Sequence, residues 1–278
     1  MQISKNPSRN EIVKIFAAVL INFVLQFVAL TASAEPTDLK TQTGNEIGLS
    51  VSAYQYKEPG IMSLTGAKMG LDLHLTKALQ YDRFIRADLR SAFGTVDYNS
   101  NATGSASGEP DVYFEIRGLF GKDWAFRESV LSAYTGLGYR YLVNDGRGVT
   151  NSGYGGYRRE SNYVYLPLGF MHHRMLSDVA RLESTLEYDR LLSGTQVSRL
   201  SDVPGYSDVT NSQSSGYGLK LSILFRENIW AVGPYLNYWN IAESDIVAEI
   251  KNGVPTGYGL VEPKNNTIEI GLMASQRF

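Results

Sequence analysis

From Asn45 to Phe278, apolar and polar side chains alternate with a period of two. Along 67–76, Ala67, Met69, Leu71, Leu73 and Leu75 share one parity, while Lys68, Gly70, Asp72, His74 and Thr76 share the other. Along 85–93, Ile85, Ala87, Leu89 and Phe93 oppose Arg86, Asp88 and Arg90. Along 112–120, Val112, Phe114, Ile116 and Phe120 oppose Glu115 and Arg117. The same pattern returns at 47–54, 182–189, 217–225 and 268–278. Side chains of a strand point alternately to its two faces, so each segment has one apolar and one polar face. No stretch beyond residue 44 comes near the roughly eighteen continuous apolar residues of a membrane helix. The chain therefore reads as all-β.

A soluble sandwich also alternates, because one face packs the core and the other meets water. Three features favour a closed antiparallel transmembrane barrel. The segments run to about ten residues or more, as a tilted membrane strand requires. Their polar faces carry opposite charges side by side. Aromatics gather near the segment ends: Tyr81, Phe84, Trp124, Phe126 and Trp230 at one, and Tyr54, Tyr56, Tyr98, Tyr139 and Tyr141 at the other. These are read as two interfacial girdles. About ten strands are expected, at 45–56, 66–76, 84–96, 111–120, 129–143, 161–173, 181–190, 215–225, 230–241 and 266–278. Connections alternate between compact turns (77–83, 121–128, 174–180, 226–229) and long Gly/Ser/Asn-rich segments (57–65, 97–110, 144–160, 191–214, 242–265). Short periplasmic turns and long extracellular loops are the outer-membrane rule, which places both termini in the periplasm.

The N-terminus reads as an export signal. Lys5, Arg9 and Lys14 precede an apolar run over 15–30, and Ala32-Ser33-Ala34 supplies the small residues of a cleavage site. A retained membrane helix is the alternative. The expected organisation is a signal peptide over 1–34, cleaved after Ala34, a short periplasmic leader over 35–44 and a barrel over 45–278. Composition narrows the chemistry. Cysteine is absent, which excludes disulfides, thiolate metal sites and thiol nucleophiles. A formal charge of −2 gives nucleic acid no electrostatic footing.

Taken with the signal and the strands, the last segment carries a resemblance. Ile268, Ile270, Leu272 and the terminal Phe278 look like the final strand of the single-chain outer-membrane β-barrel proteins of Gram-negative bacteria. Gln276 departs from that apolar face. Tyr165-Leu166-Pro167-Leu168-Gly169 resembles a segment of the OmpA-like group. The resemblance implies residence in the outer membrane among lipid and lipopolysaccharide. It also implies that the barrel-assembly machinery reads the last strand and its terminal aromatic.

Candidate chemistry is sparse. Lys68, Asp72, Arg86, Asp88, Arg90, Glu115, Arg117, Arg140, Glu183, Glu187, Asp189 and Lys220 take the inward register and are expected to form a mutually paired lumen network. A buried charge is tolerable only when paired. His74 and His173 take inward positions and His172 an outward one, all low in the barrel, so no Asp–His pair is expected at the upper rim where a barrel hydrolase would work. Glycines of the strands precede no helix and form no phosphate loop. Tyr154, Tyr157, Arg158 and Arg159 form the best candidate for surface binding, since Arg with Tyr suits phosphate and sugar. No catalytic residue, cofactor or metal is assigned. The expectation is a non-enzymatic barrel with an envelope or surface-interaction role. A narrow porin-like channel is the alternative, and an outer-membrane hydrolase ranks behind both.

Overall fold

The computed structural model describes residues 39–278. The segment 1–34 expected to be a signal peptide, and residues 35–38, lie outside them. Thirteen strands follow in order: β1 (Gly44–Glu58), β2 (Met62–Leu79), β3 (Arg83–Ser100), β4 (Gly104–Ala125), β5 (Ser129–Val149), β6 (Gly155–Met175), β7 (Ala180–Arg199), β8 (Val209–Gln213), β9 (Gly216–Glu227), β10 (Trp230–Ile241), β11 (Ile246–Lys251), β12 (Val254–Val261) and β13 (Asn265–Arg277). Ten of them close an antiparallel barrel. β1 to β7 pair in sequence, β7 pairs β9, β9 pairs β10, and β10 pairs β13. β13 then pairs β1 over Glu46–Lys57, so no barrel edge stays open. β8 extends the line of β9 along the upper part of β7, and β11–β12 is a separate hairpin on the rim.

Parity decides which side chains face the bore. On β1 the odd residues Ile47, Leu49 and Val51 are exposed outward, while Ser50, Ser52, Tyr54 and Tyr56 are buried. Exposed apolar residues of neighbouring strands, among them Leu71, Ile85, Phe93, Phe114, Ile116, Phe120, Leu137, Phe170, Val232 and Leu272, continue this band. Such a band is what hydrocarbon would cover. Parity shifts on β7 at Leu192–Ser193, where the register against β6 also slips; a bulge there keeps Leu191 and Gln196 both inside.

Two expectations change. Much of what reads as long loops is strand. β1 and β2 stay paired up to Glu58↔Met62, and β3 and β4 up to Ser100↔Gly104. β5 and β6 pair up to Val149↔Gly155. Above the apolar band both faces become polar, so alternation fades while the backbone ladder continues. The girdle assignment is also corrected. Tyr54, Tyr56 and Phe84 are buried in the bore, and Tyr98 packs beside the first two. Tyr81, Trp124, Tyr139 and Trp230 are exposed.

The end where the described chain begins and where Phe278 lies is partly closed by residues 39–42. Thr41 donates from its amide and hydroxyl to Asp123 at 2.7 and 3.0 Å. His173 Nδ1 donates to the Leu39 carbonyl at 3.1 Å, and Arg277 donates to the Gln42 carbonyl at 2.8 Å. Leu39 is buried there. Phe278 and Asn45 exchange backbone hydrogen bonds, so Phe278 is tied to β1.

Candidate functional site

The bore is filled by polar residues that strand parity brings inward from all sides. Arg90 Nη1 meets both oxygens of Asp72 at 2.7 Å. Its Nη2 donates to Glu269 at 2.8 Å. Glu269 also accepts from Ser52, Tyr235 and Tyr113, so four donors surround one buried carboxylate. Asp88 lies between Arg86 and Arg117, at 2.5 and 2.7 Å, and 2.7 Å from His74 Nδ1. Arg117 continues to Glu187 at 2.5 Å, and Tyr134 donates to the other oxygen of Glu187 at 2.6 Å. Lys220 approaches Glu115, Glu187 and Asp189 at 2.6, 3.2 and 3.4 Å, and Arg140 lies 3.5 Å from Glu115. Nearer the terminal end, Glu183 is held by Arg181 and Arg226, and Arg226 reaches on to Glu46.

Charges of both signs therefore interlock across strands far apart in sequence. Lys68 takes Asp111, a residue outside the expected set, as its partner. Glu46, Asp111, Arg226 and Glu269 belong to the same network and were legible only as inward parity at strand ends. Asp189 forms an ion pair with Lys220 at 3.4 Å, and the Arg117 guanidinium also acts on it.

Aromatic rings complete the obstruction. Tyr54, Tyr56 and Tyr113 pack with Met62, Leu64 and Val96 on the β1–β5 wall. Tyr163, Tyr165 and Trp239 pack with Leu191 and Ile241 on the wall opposite. Arg140 joins the two walls, its guanidinium carbon 4.0 Å from the Tyr113 ring centroid and 5.9 Å from that of Trp239. Lys68 sits 4.2 Å from the Tyr54 centroid. Desolvated cations over ring faces are favourable, which suits a site with little water.

This layer separates two cavities. The lower, about 200 Å³, is lined by His74, Arg86, Glu183 and Arg226, with Leu39–Thr41 at its mouth. The upper, about 590 Å³, lies among the strand extensions and the rim, lined by Glu58, Glu109, Asn144, Arg159 and Glu262. The structure corrects the expected surface site here. Arg158 turns outward to a two-point contact with Asp202, at 2.9 Å for each oxygen, while Arg159 turns inward to Glu58 at 3.0 Å. Consecutive strand residues face opposite sides, so the two arginines do not share one patch. Tyr157 stays with Arg159, and Tyr154 is exposed on the upper cavity's wall. The hydrogen bonds from Arg158 hold the Asp202 carboxyl down to about 2. Burial pushes Glu262 up to about 7, with Arg159 opposing and Glu58 reinforcing.

Among the described residues, no group of three or more His, Asp or Glu side chains is placed to hold a metal ion. His74 pairs with Asp88 low in the bore, and His173 binds the Leu39 carbonyl. His172 is buried on the opposite parity of β6.

The sequence matches no family model and no curated protein. The fold has solved counterparts. The outer membrane protease OmpT from Escherichia coli aligns at 12% identity over 89% of this chain and 99% of its own, with a TM-score of 0.53. An outer membrane channel from Pseudomonas putida F1 aligns at 12% identity over 88% and 100%, with a TM-score of 0.40. The translocator domain of the autotransporter NalP from Neisseria meningitidis aligns at 12% identity over 96% and 97%, with a TM-score of 0.36. The first of these three bears on the fold: a closed antiparallel barrel of the outer-membrane kind.

Proposed function

We propose that the protein is an integral barrel of the outer membrane whose bore is plugged, and that it serves envelope structure or surface interaction without catalysing a reaction. The termini lie on the periplasmic side, and the extended rim faces outward among lipid and lipopolysaccharide. The observation that carries the reading is the mid-bore layer, where Arg140, Lys220 and Arg117 interlock with Glu115 and Glu187 between two aromatic walls. A barrel of this strand number has an interior of the width that side chains fill. A protein of balanced, paired lumen charge has no reason to select one ion over another. The rim then becomes the surface on which partners act, since fold alone assigns no chemistry.

Single-channel recording on purified protein in planar bilayers tests this. The expected trace is low in conductance and free of stable steps. A large, stable, ohmic conductance would overturn the plugged reading. It would favour a narrow channel joining the two cavities that now face each other across the layer. Cell fractionation and N-terminal sequencing complete the test: protein in the outer-membrane fraction should begin at Glu35.

A further inference from the structure

Residues 39–43 lie at the mouth of the lower cavity, and each of them is fastened to the barrel. The Leu39 carbonyl accepts from His173 Nδ1 on β6 at 3.1 Å, and Lys40 Nζ pairs with Asp82 of the β2–β3 turn at 3.2 Å. Thr41 binds Asp123 on β4 through its amide and its hydroxyl. The Gln42 carbonyl accepts from Arg277 on β13, and Thr43 Oγ1 accepts from the Ala78 amide on β2. The next residue, Gly44, opens β1. In the closed ring β1 and β6 stand opposite one another, with four strands between them on either side. Neighbouring strands lie about 4.8 Å apart, so five intervals along the rim exceed about 24 Å. Five residues reach at most about 17 Å. The segment therefore cuts across the mouth instead of following its edge.

Its firmest hold is Asp123. This carboxylate is 3% exposed, and its described donors are Thr41 N at 2.7 Å, Thr41 Oγ1 at 3.0 Å and Ser132 Oγ at 2.6 Å. Two of the three belong to the crossing segment, and a buried carboxylate deprived of its donors is costly. The Lys40–Asp82 pair counts for less, because the Asp82 side chain is half exposed. Asp82 contributes through its backbone instead, its carbonyl accepting from the Asp123 amide at 2.7 Å. It stands at φ 59°, next to Tyr81 at φ 61°. Two successive non-glycine residues in the left-handed region carry strain that their surroundings must offset. The crossing segment thus docks on a strained turn and on the carboxylate beside it.

We propose that residues 39–43 form a latch that shuts the lower cavity, with Asp123 as its catch. Leu39, 1% exposed, is the stopper. It sets an aliphatic side chain at the mouth of a chamber whose lining includes His74, Arg86, Glu183 and Arg226, and so bars water and ions from them. With the latch closed, the chamber is sealed at this end by the strap and at the other by the mid-bore layer. With the latch open, it is a pocket of about 200 Å³ facing the side on which Phe278 lies. Opening exchanges the Thr41 donors of Asp123 for water. It is a local step that leaves the β1–β13 ladder in place. The latch depends on the barrel fold and not on whether the bore conducts, so its failure and the failure of the plugged reading are separate results.

The chain has no cysteine, so one introduced thiol can report on the chamber. Thr185 lines it, on the parity of Glu183 and Glu187, and Thr185→Cys nearly keeps its shape. The test is the rate at which methyl methanethiosulfonate, a small neutral thiol reagent, labels the full chain in detergent micelles. With Thr185→Cys alone, labelling should be slow. Adding Asp123→Ala, which removes the catch, or Thr41→Pro, which removes both donors, should speed it by about tenfold or more, the worth of one hydrogen bond to a carboxylate in an opening equilibrium. Thr41→Ser keeps both donors and should leave the rate unchanged. Thr41→Pro strands a buried charge and Asp123→Ala does not, so the second should fold even where the first fails, as heat-modifiable migration on gels reports. Fast labelling of Thr185→Cys alone, or an unchanged rate in folded Asp123→Ala, would overturn the latch. Conductance should stay low whether the latch is open or shut; a large conductance would overturn the plugged reading, while the labelling rates still decide the latch.

Discussion

A lumen carboxylate such as Glu187 is tolerated because three donors converge on it: Arg117 at 2.5 Å, Tyr134 at 2.6 Å and Lys220 at 3.2 Å. Removing it leaves Arg117 to Asp88 and Lys220 to Glu115 and Asp189, one negative charge short in a space with little water. Glu187→Ala is expected to destabilise the barrel by about 3–5 kcal/mol, the usual cost of breaking a buried pair from one side. Urea unfolding in detergent reads this as a lowered midpoint with an unchanged slope. Glu262 has the opposite sign. Burial raises its folded pKa from the ordinary 4.5 to about 7, so between these values the folded state holds a proton that the unfolded chain has released. Stability on its account is full below about pH 4.5 and declines until about pH 7, then stays level. Glu262→Gln should remove that decline, and thermal unfolding across this range checks it. The inward set could be read from parity, because Arg86, Asp88 and Arg90 must share a face wherever their strand lies. The Tyr56, Glu58, Arg159 and Glu262 cluster could not. Its members come from β1, β6 and the segment before β13, and only closure of the barrel brings them together.

At the scale of strands, glycine and aromatic residues pack as pairs across neighbouring strands. The Tyr165 ring of β6 lies over Gly138 of β5, and the Tyr134 ring of β5 lies over Gly169 of β6. A methyl group at either glycine would occupy the ring's place. Gly169→Ala should destabilise by about 1–3 kcal/mol, as overpacking does, and relocate Tyr134 away from Glu187. A changed near-ultraviolet dichroism with unchanged strand content would report it. Parity again explains why Tyr54 and Tyr56 face the bore: they share even positions with Ser50 and Ser52, although tyrosine is equally at home at a membrane interface. The strand tops were hidden for a related reason. With water on the outside and a polar cavity inside, residues such as Asn99 to Ser105 have no apolar parity to show, although Asn99↔Ser105 is a regular ladder pair. The final strand joins β1 to β10. Deleting Phe278, which is 68% exposed and holds Asn45 through the backbone, should reduce folded yield more than any single change at the rim. Heat-modifiable migration on gels measures it, and unchanged yield would count against an assembly signal.

The whole molecule is taller than a bilayer needs. β4 has 22 residues, and at about 3.3 Å per residue with a tilt of about 40° a strand of that length rises to about twice the roughly 25 Å apolar band of an outer-membrane barrel. In the orientation proposed above, the surplus stands at the end away from Phe278, and the upper cavity would then sit clear of the acyl chains, at the depth where an outer leaflet carries its sugars. Position then acts as a sieve. Solutes that diffuse through a carbohydrate layer would reach the mouth of the upper cavity, whereas a globular visitor would meet the β11–β12 hairpin first, with Ile246, Val254 and Tyr258 at its surface. Shortening the surface glycans should therefore leave small-solute access to the cavity unchanged while raising the exposure of that hairpin to antibodies and proteases.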